Sequence, residues 1–140
     1  MYKKILVPTD GSEFAKKSQI HALYLAKVSG AEIIAVSVSE NHFINGISLT
    51  DEIEQLNKIL RDRCKEDRKE LEDMNEDDIK ITSIIKEGSP AKAILDVASE
   101  EDVDLIVMGS SGKSGFDRFI LGSVSDKVVN SAKCPVLVVH

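Results

Sequence analysis

Two periodicities of apolar residues alternate along this 140-residue chain. Short apolar runs, rich in Ile, Leu and Val, have the length and composition of buried β-strands. Between them, apolar residues recur every three or four positions, as they do along the buried side of an α-helix. The pattern predicts five strands alternating with four helices, and the strands occupy residues 4–7, 31–38, 79–85, 105–108 and 135–139.

Polar residues, glycine and proline mark where the predicted helices begin and end. Ser12 is placed to cap a first helix over residues 12–29, and Gly30 is placed to end it. Ser89 and Pro90 are placed to start the third helix, as its cap and its first helical residue. The second helix is heavily charged, and the stripe predicted to be buried on it consists of Ile53, Leu56, Leu60, Cys64, Leu71 and Met74.

This alternation places the chain in the α/β class, as a single doubly wound domain over residues 1–140. Parallel strands need crossover connections, and the helices in these crossovers would cover both faces of a five-stranded parallel sheet. Because such crossovers are right-handed, two strand orders compete, the flavodoxin-like order 2-1-3-4-5 and the variant 3-2-1-4-5. The apolar pattern leaves both orders open.

Composition and charge exclude several classes of function. The chain is 42% hydrophobic and 30% charged, which is typical of a globular protein that is neither disordered nor embedded in a membrane. No targeting segment is visible before the first strand, so we expect a cytoplasmic protein with no membrane partner. The net charge of −6 would repel a nucleic-acid backbone, so we expect no nucleic-acid partner. The two cysteines and three histidines show no metal-ligand spacing.

A segment rich in glycine and serine links the fourth strand to the fourth helix, which is predicted over residues 123–132. Gly109 and Gly112 follow the strand, and Gly122 and Ser123 open the helix. Glycine lets a ligand approach the backbone closely, and the first-turn N–H groups of a helix have no internal acceptor. Together with the helix dipole, these amides favour an anion, so the segment has the chemistry of a phosphate site.

Two better-known phosphate motifs do not fit this segment. Gly112, Lys113 and Ser114 look like the end of a Walker A loop, but Val107 stands where that motif needs its first glycine. The glycines also do not follow the G-x-G-x-x-G pattern, and they lie near the end of the chain instead of after the first strand.

The spacing G-x2-G-x9-G-S, formed by Gly109, Gly112, Gly122 and Ser123, does match a known signature. It is the ATP-binding signature of the universal stress protein family, and the chain resembles that family from end to end. The resemblance implies the strand order 3-2-1-4-5, in which the winding reverses between strands one and four. In open α/β sheets, ligands bind at the carboxyl ends of the strands beside such a reversal.

Carried over position by position, the resemblance implies an ATP site at this edge of the sheet. Val38 would contact the adenine, and Met108 and Gly109 would lie by the ribose. Gly112 would approach the phosphates, which residues 122–125 would hold. The full set implied is Pro8, Thr9, Asp10, Val38, Met108, Gly109, Gly112, Gly122, Ser123, Val124 and Ser125.

Asp10 also predicts a metal ion. A carboxylate beside phosphates is repelled by them unless a cation lies between, so we expect Mg²⁺ or Mn²⁺ at Asp10, shared with the ATP phosphates. Lys113 and Arg118, which lie between the glycines, could neutralise further phosphate charge.

Strand five would lie at an edge of the sheet in the order 3-2-1-4-5. It carries no charge to prevent pairing with another chain, so we expect a homodimer through this strand, as the resemblance also implies.

The predicted function is an ATP-dependent regulatory switch in the stress response, read by a downstream protein partner. Hydrolysis is expected to be slow or absent, because no residue is placed as a base. The alternative is a weak ATPase or another adenine-nucleotide-using enzyme of the same superfamily.

Overall fold

Five strands and four helices alternate along the chain in a computed structural model that describes residues 1–10, 12–39, 51–110 and 121–140. The strands are β1 (Lys4–Pro8), β2 (Glu32–Ser39), β3 (Ile81–Glu87), β4 (Leu105–Gly109) and β5 (Val136–Val139). The helices are α1 (Glu13–Ser29), α2 (Asp51–Met74), α3 (Pro90–Glu100) and α4 (Ser123–Ser131). No helix within the described ranges combines the length and the apolar character that crossing a bilayer requires.

The five strands form one parallel sheet in the order β3-β2-β1-β4-β5. The predicted α/β class and the order 3-2-1-4-5 are therefore confirmed. From β1 the chain winds outward to β2 and β3, and it then crosses back to β4 on the other side of β1. The direction of winding thus reverses between β1 and β4.

Each face of the sheet is covered by two helices. Ala22 and Ala26 of α1 and Leu71 of α2 are buried against one face. Ile94 of α3 and Val128 of α4 are buried against the other. Side chains alternate between the two faces of a strand, so Ile5 and Val7 of β1 lie in the apolar cluster under α1 and α2, and Leu6 lies in the cluster under α3 and α4. Both faces of the sheet are therefore apolar, as predicted.

Helices α1 and α3 begin at the predicted residues, but only α1 has a hydrogen bond from the first turn to its N-cap side chain. The Ser12 hydroxyl accepts a hydrogen bond from the Ala15 amide at 3.1 Å, and Gly30 ends α1 with a φ of 72°. Ser89 is the N-cap of α3 and Pro90 its first residue, but the Ser89 hydroxyl makes no capping hydrogen bond.

Two local predictions were wrong. Strand β3 begins at Ile81 instead of residue 79, because the Asn75 side chain bonds both the amide (3.0 Å) and the carbonyl (2.8 Å) of Ile79 and holds it in the connection before the strand. On α2, Leu56 is 40% exposed, whereas its neighbour Asn57 is only 9% exposed. The buried positions of α2 are Asn57, Cys64 and Leu71, which are seven residues apart. Leu56 lies one residue before Asn57, and a step of one residue along a helix turns the side chain by about 100°.

Candidate functional site

The sheet opens between β1 and β4 at their carboxyl ends. Paired positions of β1 and β4 end at Leu6 and Ile106, whereas β1 stays paired with β2 as far as Pro8, and β4 with β5 as far as Gly109. The last residues of β1 and β4 therefore border a crevice at the point where the winding reverses. Ligands of open α/β sheets bind at such a point.

The β1 side of the crevice is joined firmly to β2. The Thr9 amide donates to the Val36 carbonyl at 2.9 Å, and the Thr9 and Ser37 hydroxyls lie 2.6 Å apart in a hydrogen bond. Thr9 is only 3% exposed, so its side chain links two strands inside the protein. The next residue, Asp10, accepts a hydrogen bond from the Ser12 amide through Oδ1 at 2.9 Å, which sets the turn into α1.

Val38, predicted to contact the adenine, and Met108, predicted to lie by the ribose, belong to the same face of the sheet. Met108 is buried in the cluster formed with α3 and α4, and the half-buried Val38 packs against that cluster. Helix α4 begins on this face as well. A ligand that touches Val38 or Met108 would therefore lie on the side of the sheet from which α4 starts.

Gly109 ends β4 in very close contact with α1. A Cβ atom at this position would lie 2.7 Å from the Phe14 Cβ and 2.9 Å from both the carbonyl carbon and oxygen of Phe14. Separations below 3.0 Å are not tolerated, and two of these atoms belong to the helix backbone. Packing of α1 against β4 is thus sufficient to require glycine here, whether or not a ligand approaches.

The amides in the first turn of α4 have no acceptor among the described residues. Gly122 is the N-cap, and a glycine has no side chain with which to cap the helix. The Gly122 amide itself donates to the Ser110 carbonyl at 2.8 Å, so it is already engaged. The amides of residues 123–125 have no acceptor within the helix, because the first such bond runs from Asp126 back to the Gly122 carbonyl. N–H groups in this position at a helix N-terminus favour an anion.

Gly122 does not need to be glycine for its backbone conformation. Its φ is −59° and its ψ is 158°, which any L-residue adopts. By contrast, Gly30 and Gly88 have φ values of 72° and 120°. A glycine at the N-cap of α4 places no side chain of its own over the first-turn amides, which suits the approach of an anion.

The structure brings most of the predicted set to one edge of the sheet. Residues 8–10, 108–109 and 122–125 all lie at the carboxyl ends of β1 and β4 or in the first turn of α4. Val38 is at the carboxyl end of β2, the strand beside β1. The predictions for Gly112, Lys113 and Arg118 fall outside the described residues.

Three residues that support the site were missed by the sequence reasoning. They are Phe14, which packs on Gly109, Ser37, which bonds Thr9, and Ser110, whose carbonyl accepts the Gly122 amide. A polar residue inside the apolar run of β2 was a usable signal for Ser37. Nothing in the local sequence pointed to the contacts of Phe14 and Ser110, because both depend on how distant elements pack.

A cavity of about 710 Å³ lies at the opposite, amino-terminal edge of the sheet. Its charged side chains pair with one another: Lys27 lies 2.8 Å from Asp77, and Lys80 lies 2.9 Å from Glu32. The hydrogen bond to Asp77 raises the pKa of Lys27, and the hydrogen bond from Lys80 lowers the pKa of Glu32. These exposed ion pairs contribute little stability, and the cavity shares no lining residue with the crevice.

An open parallel sheet whose winding reverses between β1 and β4, with the glycine-capped start of α4 beside the reversal, defines a doubly wound α/β domain. The sequence profile of the universal stress protein family matches residues 1–140. The chain belongs to this family.

Its relatives match over nearly the whole chain. The universal stress protein MJ0531 of Methanocaldococcus jannaschii is 39% identical over 140 residues, which cover 99% of this chain and 82% of that protein. The solved structure of MJ0577, from the same organism, superimposes with a TM-score of 0.86 at 34% identity, covering 99% of this chain and 96% of the other. A universal stress protein solved in complex with cAMP gives a TM-score of 0.72 at 25% identity, covering 99% and 97%.

Proposed function

We propose that this protein binds ATP in the crevice between β1 and β4 and acts as a nucleotide-dependent regulatory switch in the stress response. The observation that carries the proposal is the first turn of α4, which begins at a glycine N-cap beside the opening of the sheet. The three amides of residues 123–125, which have no acceptor within the helix, and the helix dipole favour a phosphate group. The related protein solved with cAMP supports an adenine nucleotide as the ligand.

Each part of ATP has a proposed position. The adenine lies against Val38 and the ribose beside Met108 and Gly109, on the face of the sheet that α3 and α4 cover. The phosphates accept hydrogen bonds from the amides of residues 123–125. The exposed hydroxyl of Ser123 is a further donor.

Asp10 is proposed to hold Mg²⁺ or Mn²⁺ together with the phosphates. One carboxylate oxygen of Asp10 accepts the Ser12 amide, which leaves the other for a cation. Within the described ranges, no three His, Cys, Asp or Glu side chains form a metal cluster. A single carboxylate completed by phosphate oxygens and water fits Mg²⁺, which usually binds in this way when it accompanies a nucleotide. The cation would offset the repulsion between Asp10 and the phosphates.

Substitution of Gly122 by valine is expected to weaken ATP binding by about tenfold or more, because the isopropyl group would cover the first-turn amides. The backbone conformation of Gly122 accepts valine, so loss of the favourable N-cap should cost only about 1 kcal/mol of stability. Calorimetry with ATP and Mg²⁺ measures the affinity, and mass spectrometry identifies any nucleotide released from the denatured parent. Equal affinity of Gly122→Val and the parent would show that the phosphates bind elsewhere.

The edge strand β5 is the proposed homodimer interface. Leu137 is 37% exposed and no charge interrupts β5, whereas β3 at the other edge has Lys80 before it and Lys86 within it. The carbonyls of Pro135 and Val139 accept hydrogen bonds from the β4 side. Alternate residues of a strand direct their main-chain groups to opposite sides, so Val136 and Val138 present theirs to the outer edge.

The variant Val138→Pro is therefore expected to convert the dimer to a monomer while the β4–β5 pairing is kept, because it removes an outward-facing donor. Light scattering over a range of concentrations measures the change, with Val138→Ala as the control that keeps the amide. A parent protein that is monomeric at all concentrations would contradict this interface.

Hydrolysis of ATP is expected to be slow, below about 1 s⁻¹ in single-turnover measurements with Mg²⁺. Asp10 is assigned to the cation, and serine hydroxyls are poor bases without a partner to take the proton. The weak-ATPase alternative depends on Arg118, which could stabilise transition-state charge from its own subunit or across a dimer. Turnover above that limit, abolished by Arg118→Ala, would show that the protein is an ATPase instead of a switch.

The cytoplasmic location and the unidentified downstream protein partner stay predictions.

A further inference from the structure

Two hydrogen bonds join the start of α4 to the end of β4. In α1, the N-cap hydroxyl of Ser12 accepts a first-turn amide at 3.1 Å. In α4 the N-cap is Gly122, which has no side chain, and its amide donates to the Ser110 carbonyl at 2.8 Å. The third helical residue, Ser125, directs its hydroxyl to the Gly109 carbonyl at 2.7 Å. The start of α4 is thus attached to two consecutive carbonyls at the end of β4.

The Ser125 hydroxyl is not a phosphate ligand in this arrangement. Ser125 is 3% exposed, and its one hydroxyl hydrogen is donated to a carbonyl, which can only accept. A phosphate oxygen at neutral pH also acts as an acceptor, so the hydroxyl has no second hydrogen to offer. The amide of Ser125 keeps its freedom to bind an anion.

We propose that Ser125 is a positioning residue of the nucleotide site, whose hydroxyl fixes the first turn of α4 relative to β4 so that the amides of residues 123–125 converge on one phosphate group. The proposal rests on the proposed ATP site and assigns the Ser125 side chain a role other than ligand contact. Pre-set donors bind an anion more tightly than donors that must be ordered on binding. The attachment therefore affects the phosphate part of the affinity and leaves the adenine part unchanged.

The test compares Ser125→Ala, Ser125→Thr and Ser123→Ala in the full chain. Calorimetry gives the ratio of the affinities for ATP and for adenosine, which lacks phosphates. Ser125→Ala is expected to lower this ratio about tenfold, and Ser125→Thr, which keeps a hydroxyl, is expected to stay within about twofold of the parent. An equal loss of ATP and adenosine affinity in Ser125→Ala would instead indicate general destabilisation and overturn the proposal, as would an unchanged ratio.

Amide hydrogen exchange of the ligand-free protein supplies an independent measurement. The Gly122 amide is expected to exchange at least about fivefold faster in Ser125→Ala, while α3 amides keep the parent rate. Ser123→Ala should lower ATP affinity without changing the exchange of Gly122, because its hydroxyl is exposed. If the parent protein binds no adenine nucleotide, the proposed function fails, and the exchange rates still decide whether Ser125 holds α4. Unchanged Gly122 exchange in Ser125→Ala would refute the attachment itself.

Discussion

Replacement of Gly109 by alanine is expected to lower the free energy of unfolding by about 2–3 kcal/mol, the upper part of the range for overpacking a tight contact. For a chain of this length the loss corresponds to a fall in Tm of roughly 6–10 °C. The added Cβ would lie within 3.0 Å of the Cβ, carbonyl carbon and carbonyl oxygen of Phe14. Relief of these contacts requires α1 to move away from β4. Thermal and urea unfolding of the ligand-free protein measure the effect.

The matched control is Gly122→Ala, at the third glycine of the same motif. Its backbone conformation accepts alanine, and the loss of an acceptable N-cap is largely offset by the lower entropy of the unfolded chain. The expected change is below about 1 kcal/mol. If both variants were equally stable, Gly109 would not be required by packing, and its place in the motif would have to be explained by the ligand alone.

Substitution of Asp10 by asparagine is expected to remove most of the contribution of the divalent cation to ATP affinity. Asparagine keeps an Oδ1 acceptor for the Ser12 amide, so the turn into α1 stays intact while the negative charge is lost. In the presence of Mg²⁺ the affinity should fall by about tenfold or more. In EDTA the variant should bind ATP at least as well as the parent, because repulsion between carboxylate and phosphates is gone.

Titration of each protein with ATP, in Mg²⁺ and in EDTA, tests this expectation. Glu13→Gln is the matched control, since Glu13 is an exposed acid in the first turn of α1. Its affinity should depend on Mg²⁺ as that of the parent does. The cation site at Asp10 would be refuted by an Asp10→Asn variant that kept the full difference between Mg²⁺ and EDTA.

The sequence alone determined the elements of this fold and the chemistry of its most informative segment. Strand and helix periods are local properties, so the five strands and four helices were predictable from apolar spacing, and Ser12 and Gly30 marked the limits of α1. The spacing of glycine and serine after β4 likewise predicted a phosphate site from the sequence alone. The periodicity of apolar residues did not determine the strand order. The order was predicted from the family resemblance, which the glycine and serine spacing indicated.

Only the tertiary structure decided what individual residues do at the site. Gly109 and Phe14 are distant in sequence, so their contact shows only when α1 lies on β4. Thr9 and Ser125 were predicted residues of the nucleotide site, and the fold engages their hydroxyls with Ser37 and the Gly109 carbonyl. A hydroxyl can bond a ligand or a neighbouring strand equally well. Which one it reaches depends on contacts across the fold, and these do not follow from local spacing.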